Sequence, residues 1–381
     1  MLVANYPIHR ARRVLGLISG TSADGIDVAL TRIPTEESGE AFAVEKFLSI
    51  EYPPAIRDKV MLAAADRLTL RETAVLGTQL GHLFAEAALE LMPSDGCDLV
   101  ASHGQTVCHL PEHATTLQIG DGAVIAARTS TLTVSDFRTA DMAWGGQGAP
   151  LVPLFDAHVL ADPELVRVAI NLGGIANVTV IPPAGQVTAW DTGPANGVSD
   201  ALCRLSQLGP YDAEGRIASG GSVHLALLGE LLREEPYFAK AAPKSTGLEL
   251  FGEEYARRLL GRASTADLIR TALALSAQSL VDDLRTIAAS FPGRGVELVF
   301  AGGGTSNPVL MSEISHRLES TGLPFRCRSF AEFGIPEAGR EAAAFAYLGD
   351  LSARGLSGAA PGATGATKAA VLGKFSFPAN P

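Results

Sequence analysis

Apolar residues arrive along this chain in short runs broken by glycine and small polar residues, and longer segments of helical periodicity separate those runs. Val14–Leu17 and Ile26–Leu30 enclose Ser19-Gly20-Thr21-Ser22-Ala23-Asp24-Gly25, which predicts strand, tight turn, strand. Ala41–Phe47 and the region to Tyr52 predict further strands. Thr69-Leu70-Arg71-Glu72 has the spacing of a capping box. Leu76, Leu80, Leu83, Phe84, Ala87 and Leu91 then share one helical face until Pro93. Leu99-Val100-Ala101 predicts a short strand running into Ser102-His103-Gly104-Gln105-Thr106, and residues 117–138 read as a loop-rich block.

The second half opens as the first does. Val168–Leu172 and Ile175–Ile181 flank Gly173-Gly174, again strand, glycine turn, strand. Ala189-Trp190 leads into a turn at Asp191-Thr192-Gly193-Pro194-Ala195-Asn196, followed by a helix over Val198–Leu205. Ser264 with Asp267 starts a helix carried by Leu268, Leu273, Leu280, Leu284 and Ile287 and stopped at Phe291-Pro292-Gly293. Val296–Phe300 reads as a buried strand ending at Gly302-Gly303-Gly304, and Asn307 before Pro308 suits a capped helix start. A helix over Glu341–Leu348 follows. Residues 351–367 read as loop, and Ala370–Leu372 as a final short strand. Two halves with one opening pattern predict two α/β domains facing across a cleft, with the ligand at the glycine turns.

Composition narrows the class. At 381 residues, 47% hydrophobic and 19% charged, the chain has the balance of a compact protein of two domains. Its 30 basic against 41 acidic residues give a net charge of -11, which argues against nucleic acid as a partner. Cys97, Cys108, Cys203 and Cys327 lack zinc or disulfide spacing, so reduced thiols and a cytoplasmic protein are expected. No apolar run reaches membrane-span length, and the run after Arg10, Arg12 and Arg13 breaks at Ser19-Gly20, so neither an anchor nor a signal peptide is expected.

Glycine turns that each follow a strand lie where α/β folds bind ligands. Gly20 and Gly25 permit close backbone approach, Thr21 and Ser22 add hydroxyls, and successive turn amides can form an anion nest. Asp24 and Asp27 would repel a bare phosphate, and fit one only with a divalent cation between. An ordinary glycine-rich hairpin is the other reading of this segment. No GxxxxGK[ST] occurs, and Gly302-Gly303-Gly304 lacks GxGxxG spacing, so neither a P-loop nor a dinucleotide site is expected. What remains is a nucleotide held between two domains by hairpin turns, as in the actin, sugar kinase and Hsp70 group.

Gly16–Asp27 resembles the opening signature of the 1,6-anhydro-N-acetylmuramic acid kinases. So do Ser102–Thr106, Gln118-Ile119-Gly120-Asp121, Asp136-Phe137-Arg138, Gly145–Pro150, Asn171–Asn177 and Asp191–Pro194. Pro243-Lys244-Ser245-Thr246-Gly247, Gly302–Gly304 with Asn307, and Gly334-Ile335-Pro336 before Glu341-Ala342 complete the series, in order, over nearly the whole chain. Departures are Ile18 for a common methionine, Ala23 for leucine, Cys108 for a larger residue, and Leu248 for a frequent arginine. The last two bear on substrate contacts or loop closure.

The resemblance implies two actin-like (ribonuclease H-like) domains with mixed sheets flanking a nucleotide cleft. Residues 1–150 would carry the first phosphate hairpin and the sugar loops, and 151–350 the second phosphate turn and the adenosine motif. The Gly/Ala-rich tail, 351–381, would pack back on the N-terminal domain, and Asp141–Pro150 would hold the boundary. It implies an enzyme that uses ATP and Mg2+ to open the anhydro bridge of a small cell-wall sugar with water and phosphorylate O6. Asp191 would be the base that takes the water's proton; its plain reading is a turn residue bonding its own backbone. Gly20, Thr21, Ser22, Ala23, Asp24, Gly25, Ile26, Asp27 and Gly193 would face phosphate, and Gly302, Gly303, Gly304 and Asn307 adenosine. Which residues ligate metal is left open. His103, Gln105, Asp121 and Arg138 would contact sugar. Arg138 would take the lactyl carboxylate, or pair structurally with Asp136 or Asp141. Lys244 faces phosphate or, as lysines mostly do, solvent. A homodimer is compatible with the chain, and neither membrane nor nucleic acid is expected as a partner. The rival readings are a levoglucosan-type anhydrohexose kinase and a non-catalytic actin-like nucleotide-binding protein.

Overall fold

The computed structural model describes residue 3 and residues 6–20, 22–242 and 244–379. Two compact units emerge: Met1–Val159 with Phe330–Pro381, and Leu160–Ser329. Strands β1 (Arg12–Ser19), β2 (Gly25–Ile33), β3 (Ala43–Glu51), β4 (Leu99–Leu110), β5 (Thr115–Ile119) and β6 (Thr133–Ser135) lie in the first unit. The second holds β7 (Val166–Leu172), β8 (Ile175–Ile181), β9 (Thr188–Pro194), β10 (Val296–Ala301) and β11 (Arg326–Ser329), and β12 (Lys374–Ser376) belongs to the first again.

The first sheet has the order β12-β6-β4-β1-β2-β3, with β5 paired to β4, and the second β11-β10-β7-β8-β9. In each, three strands form an antiparallel meander whose first strand continues into two parallel neighbours. The internal echo of the sequence is therefore a repeated topology, and the chain has two actin-like α/β domains with mixed sheets. Strand β10, with a parallel neighbour on each side, is buried throughout.

Helix Thr265–Ser290 lays Leu273, Leu280 and Leu284 against Val168, Val178 and Leu298 in the core of the second unit. In the first, helix Leu70–Leu91 brings Leu80 and Phe84 onto Leu15, Val28 and Val100. Each such side chain contributes about 1.5–3 kcal/mol on burial. The opposite face of β1 carries helix Arg340–Arg354, which approaches so closely that a Cβ on Gly16 would lie 1.9 Å from the Ala342 carbonyl oxygen. Arg12, 2% exposed, donates its Nε to Asp350 Oδ1 at 2.7 Å from β1 to this helix, and the Tyr6 hydroxyl donates to the same oxygen at 2.8 Å.

Several expectations are corrected. The stretch Asp141–Pro150 is no boundary: Asp141 Oδ2 accepts from the Gly148 amide and Oδ1 from the Thr364 hydroxyl, all within the first unit. The division falls after Val159, and the helix from Arg340, assigned to the second half, belongs to the first. That helix runs on to Arg354, into residues read as loop, and stops at Gly355 in the left-handed conformation. The short strand at Leu99 extends to Leu110 because the Gly104 break is absorbed as a bulge, and β5 pairs with it inside the supposed loop block. Asp191 and Gly193 lie within β9, not in a turn. The last strand begins at Lys374, since Ala370 and Leu372 are buried in packing and only after Gly373, at φ 86°, does the chain reach the edge of β6.

Among the described residues no helix is long and apolar enough to cross a membrane. All four cysteines are free.

Candidate active site

The β1–β2 turn is shaped by two kinds of glycine. A Cβ on Gly25 would sit 2.2 Å from the Ile50 carbonyl oxygen of β3, so the fold itself excludes a side chain there. On Gly20 it would meet only Ser22 Oγ, at 3.8 Å, and nothing internal requires that glycine. Ala23 and Ile26 face the core, leaving only their backbone to a ligand, and Thr21 lies outside the described residues. Ser22 and Asp24 are exposed, the Ser22 hydroxyl donating to Asp24 Oδ1 at 2.9 Å. Asp27 is half-buried. Burial pushes its carboxyl up, a bond from Ser49 opposes this, and the charges of Asp24 and Glu341 add to the rise.

Such a pair favours a cation between the two carboxylates. Among the described residues no group of three or more His, Cys, Asp or Glu side chains could hold a metal unaided. Magnesium that arrives with a nucleotide needs only one or two carboxylates, water and phosphate supplying the rest. The donor set fits that ion and does not fit a metal held by protein alone.

In the second unit the Gly173-Gly174 turn is stitched to the start of helix Gly197–Leu205. The amides of Ala195 and Gly197 donate to the Gly174 carbonyl at 2.9 and 2.8 Å, and that of Asn196 to Gly173 at 3.0 Å. Gly302 and Gly304 lie against the end of β7, where a Cβ on either would stand 2.7 Å from Asn171 or Leu172. Gly303 has open space around its Cβ position. Asn307 caps helix Pro308–Ser320, its Oδ1 accepting from Val309 and Leu310 amides at 3.1 and 3.3 Å. Gly193 is packed under Ser279 and Phe238, at 2.9 and 3.0 Å from a Cβ, so its glycine serves packing.

Asp191 stands beside an irregularity in the β8–β9 ladder: Asn177 pairs with Asp191 and Ala176 with Gly193, leaving Thr192 as the extra residue. Such bulges re-aim side chains. The Asp191 carboxylate takes both its bonds on Oδ2, from the Thr246 amide at 2.9 Å and the Ser245 hydroxyl at 3.1 Å, and Oδ1 has no protein donor among the described residues. Its amide donates to the Lys244 carbonyl at 3.0 Å, and its carbonyl accepts from the Tyr237 hydroxyl at 2.6 Å. Burial pushes the carboxyl above the usual range, these two donors pull it back, and Glu249 adds to the rise. Lys244 does not face solvent. Its side chain is 4% exposed, with Nζ 3.5 Å from Asp283 Oδ1.

The sugar candidates separate. His103 and Asp121 line a cavity of about 630 Å3 in the first unit, with Thr73, Gln118, Ser135 and Lys374. Asp121 caps helix Gly122–Thr129 through the Ala123 amide at 2.8 Å and is exposed on its other side. His103 Nδ1 lies 3.0 Å from the Gly104 carbonyl and its Nε2 accepts from Arg138 Nε at 2.9 Å; burial, then the Arg138 charge, holds it neutral. Gln105 and Arg138 are not on the cavity wall. Gln105, 1% exposed, accepts the Ser19 hydroxyl at 2.6 Å and donates to the Gly20 carbonyl at 3.1 Å, so it braces the β1–β2 turn. Arg138 pairs with neither Asp136, which holds Lys374, nor Asp141; it also donates to the Gly148 carbonyl at 2.7 Å, and burial pushes it down to about 10.

Sequence reasoning missed Ser19, Ser49, Tyr237 and Asp283 as supports of these groups. Their partners lie across strands or tens of residues away, and no local spacing signals them.

The sequence model of the anhydro-N-acetylmuramic acid kinases matches residues 12–378. The anhydro-N-acetylmuramic acid kinase of Neisseria gonorrhoeae (strain ATCC 700825 / FA 1090) is 38% identical, over 94% of this chain and 97% of its own. That of Streptomyces coelicolor is 40% identical, over 96% and 93%. Among solved structures, a ROK family glucokinase from Streptomyces griseus aligns over 89% of this chain and 99% of its own, at 12% identity and a TM-score of 0.40. The chain belongs to the anhydro-N-acetylmuramic acid kinase family.

Proposed function

We propose that the chain is an ATP-dependent kinase that opens 1,6-anhydro-N-acetylmuramic acid with water and phosphorylates O6. The products are N-acetylmuramic acid 6-phosphate and ADP, a reaction of cell-wall recycling. The observation that carries this reading is Asp191, a half-buried carboxylate held by one oxygen with the other free of protein donors among the described residues.

Water attacks C1 and loses a proton to Asp191 Oδ1, while O6 leaves C1 and takes the γ-phosphoryl group. A carboxylate whose proton affinity is raised by burial suits this task, because water bonding to an oxocarbenium-like carbon becomes strongly acidic. Gly20, whose Cβ position clashes with nothing, lets a phosphate approach the backbone of the β1–β2 turn, which faces it through Ser22–Asp27; Gly303, open at its own Cβ position, lets adenosine approach its turn. Asp24 and Asp27 would hold Mg2+, directly or through water, and the ion would offset the phosphate charge. Gly193, Gly302, Gly304 and Asn307 shape the nucleotide site as scaffold. Asp121 and His103 meet sugar hydroxyls in the cavity, Gln105 holds the phosphate turn, and Arg138 orients His103.

The test is ADP release from ATP and Mg2+ with the anhydromuramyl sugar, beside levoglucosan and a no-sugar blank. Turnover with the muramyl sugar is expected. Turnover with levoglucosan alone would replace the substrate, and none with either would return the chain to the binding-protein reading.

A further inference from the structure

Asp283 lies on helix Thr265–Ser290, outside every motif that the sequence singled out, and it grips both neighbours of Asp191. Its Oδ2 accepts the Trp190 indole N–H at 2.9 Å, and Trp190 directly precedes Asp191 on β9. Its Oδ1 lies 3.5 Å from Lys244 Nζ, and Lys244 directly precedes the two residues that donate to the Asp191 carboxylate. The ammonium also lies 5.1 Å from the centre of the Tyr237 ring, whose hydroxyl holds the Asp191 carbonyl. One carboxylate thus fastens strand and loop to one helix, with Asp191 between them.

We infer that Asp283, through Lys244, is a positioning residue: it keeps Ser245 and Thr246 on Asp191 Oδ2, so that Oδ1 alone is left to accept a proton. This rests on the reading of Asp191 as the base. The ion pair itself is buried on the lysine side, where a charge is kept only if paired. The charged and titratable groups around Asp191 are Glu249 from helix Leu248–Phe251, Tyr237, Lys244 and Asp283. Of these Glu249 raises its carboxyl, while the two loop donors lower it. Freeing the loop removes the donors and leaves burial and Glu249 in place, so the carboxyl must titrate at higher pH.

The test is a titration of the Asp191 carboxyl carbon by NMR in the unliganded full chain, labelled at aspartate and assigned by its absence in Asp191→Asn. Asp283→Asn keeps an acceptor for Trp190 and removes the charge that holds Lys244; Lys244→Met removes the ammonium and keeps its stem. Both are expected to move the Asp191 titration upward, and to shift the acid limb of kcat the same way. At the low-pH side of the profile kcat falls about 10- to 100-fold while KM for ATP is unchanged. An Asp191 titration that coincides with wild type in either folded variant overturns the inference, whatever happens to melting temperature. Near-wild-type turnover of Asp191→Asn would instead overturn the role of Asp191 as base, an outcome the titration does not depend on.

Discussion

Gly20 and Gly25 are five residues apart in one turn and answer to different demands. Gly20→Ala has no internal clash and is expected to leave stability within about 0.5 kcal/mol while raising KM for ATP. Gly25→Ala drives a methyl into the β3 backbone and is expected to cost about 1–3 kcal/mol or more. Thermal melts beside ATP kinetics separate the two, and equal losses of stability would refute the distinction. Asp191→Asn removes a proton acceptor and keeps the shape, so kcat is expected to fall by about 10²–10⁴, roughly 3–5 kcal/mol of barrier, with ATP affinity nearly unchanged. Asp200, in helix Gly197–Leu205, is pushed up to about 6 by burial, with Asp212 adding and Arg204 opposing. Its folded value lies above the unfolded one, so its contribution to stability is full below about pH 4 and is lost as pH rises through 6. Asp200→Asn is therefore expected to match wild type near pH 4 and to melt higher at pH 7, by about 1–2 kcal/mol after solvent screening. A difference in melting temperature that does not grow with pH would remove burial as the cause.

At the scale of the element, what the sequence announced was local. The Thr69 capping box, the Ser264 cap and the Asn307 cap all form, because each bond joins residues three apart or closer. Asn307→Ala is expected to cost about 1 kcal/mol in a denaturant titration, with only a small change in KM for ATP, since its Oδ1 serves the helix. A large KM change at unaltered stability would make Asn307 a nucleotide ligand first. What stayed illegible was pairing at a distance. Gly104 reads as a break, yet the β1–β4 register steps from Leu17–Ser102 to Ser19–Gln105 and the strand continues, turning Gln105 back onto the turn. Asp191 reads as a turn residue before Gly193-Pro194, and only its ladder with β8 makes it a strand residue. The donors on its carboxylate lie 54 and 55 positions ahead, beyond any periodicity.

At the scale of the molecule, the repeated topology was foreshadowed by the two glycine hairpins, but the division between units was not. The second unit is an uninterrupted stretch, Leu160–Ser329, whereas the first is closed by residues from the far end of the chain. Arg12 and Asp350 join those ends in the interior. Asp350→Asn leaves a buried guanidinium without its counter-charge and is expected to destabilise the protein by about 3–5 kcal/mol, as calorimetry would record. Retention of wild-type stability would mean that the pair contributes only position. The same arrangement bears on how the protein is made. A ribosome that has released Ser329 has supplied the whole of the second unit, while β1 still lacks the helix that covers its other face and β6 lacks its edge strand. The unit begun first is therefore finished last. A nascent chain stalled once Ser329 has cleared the exit tunnel, with helix Arg340–Arg354 still inside it, would already protect the later half from protease, with the opening hairpin still open to attack and to chaperones.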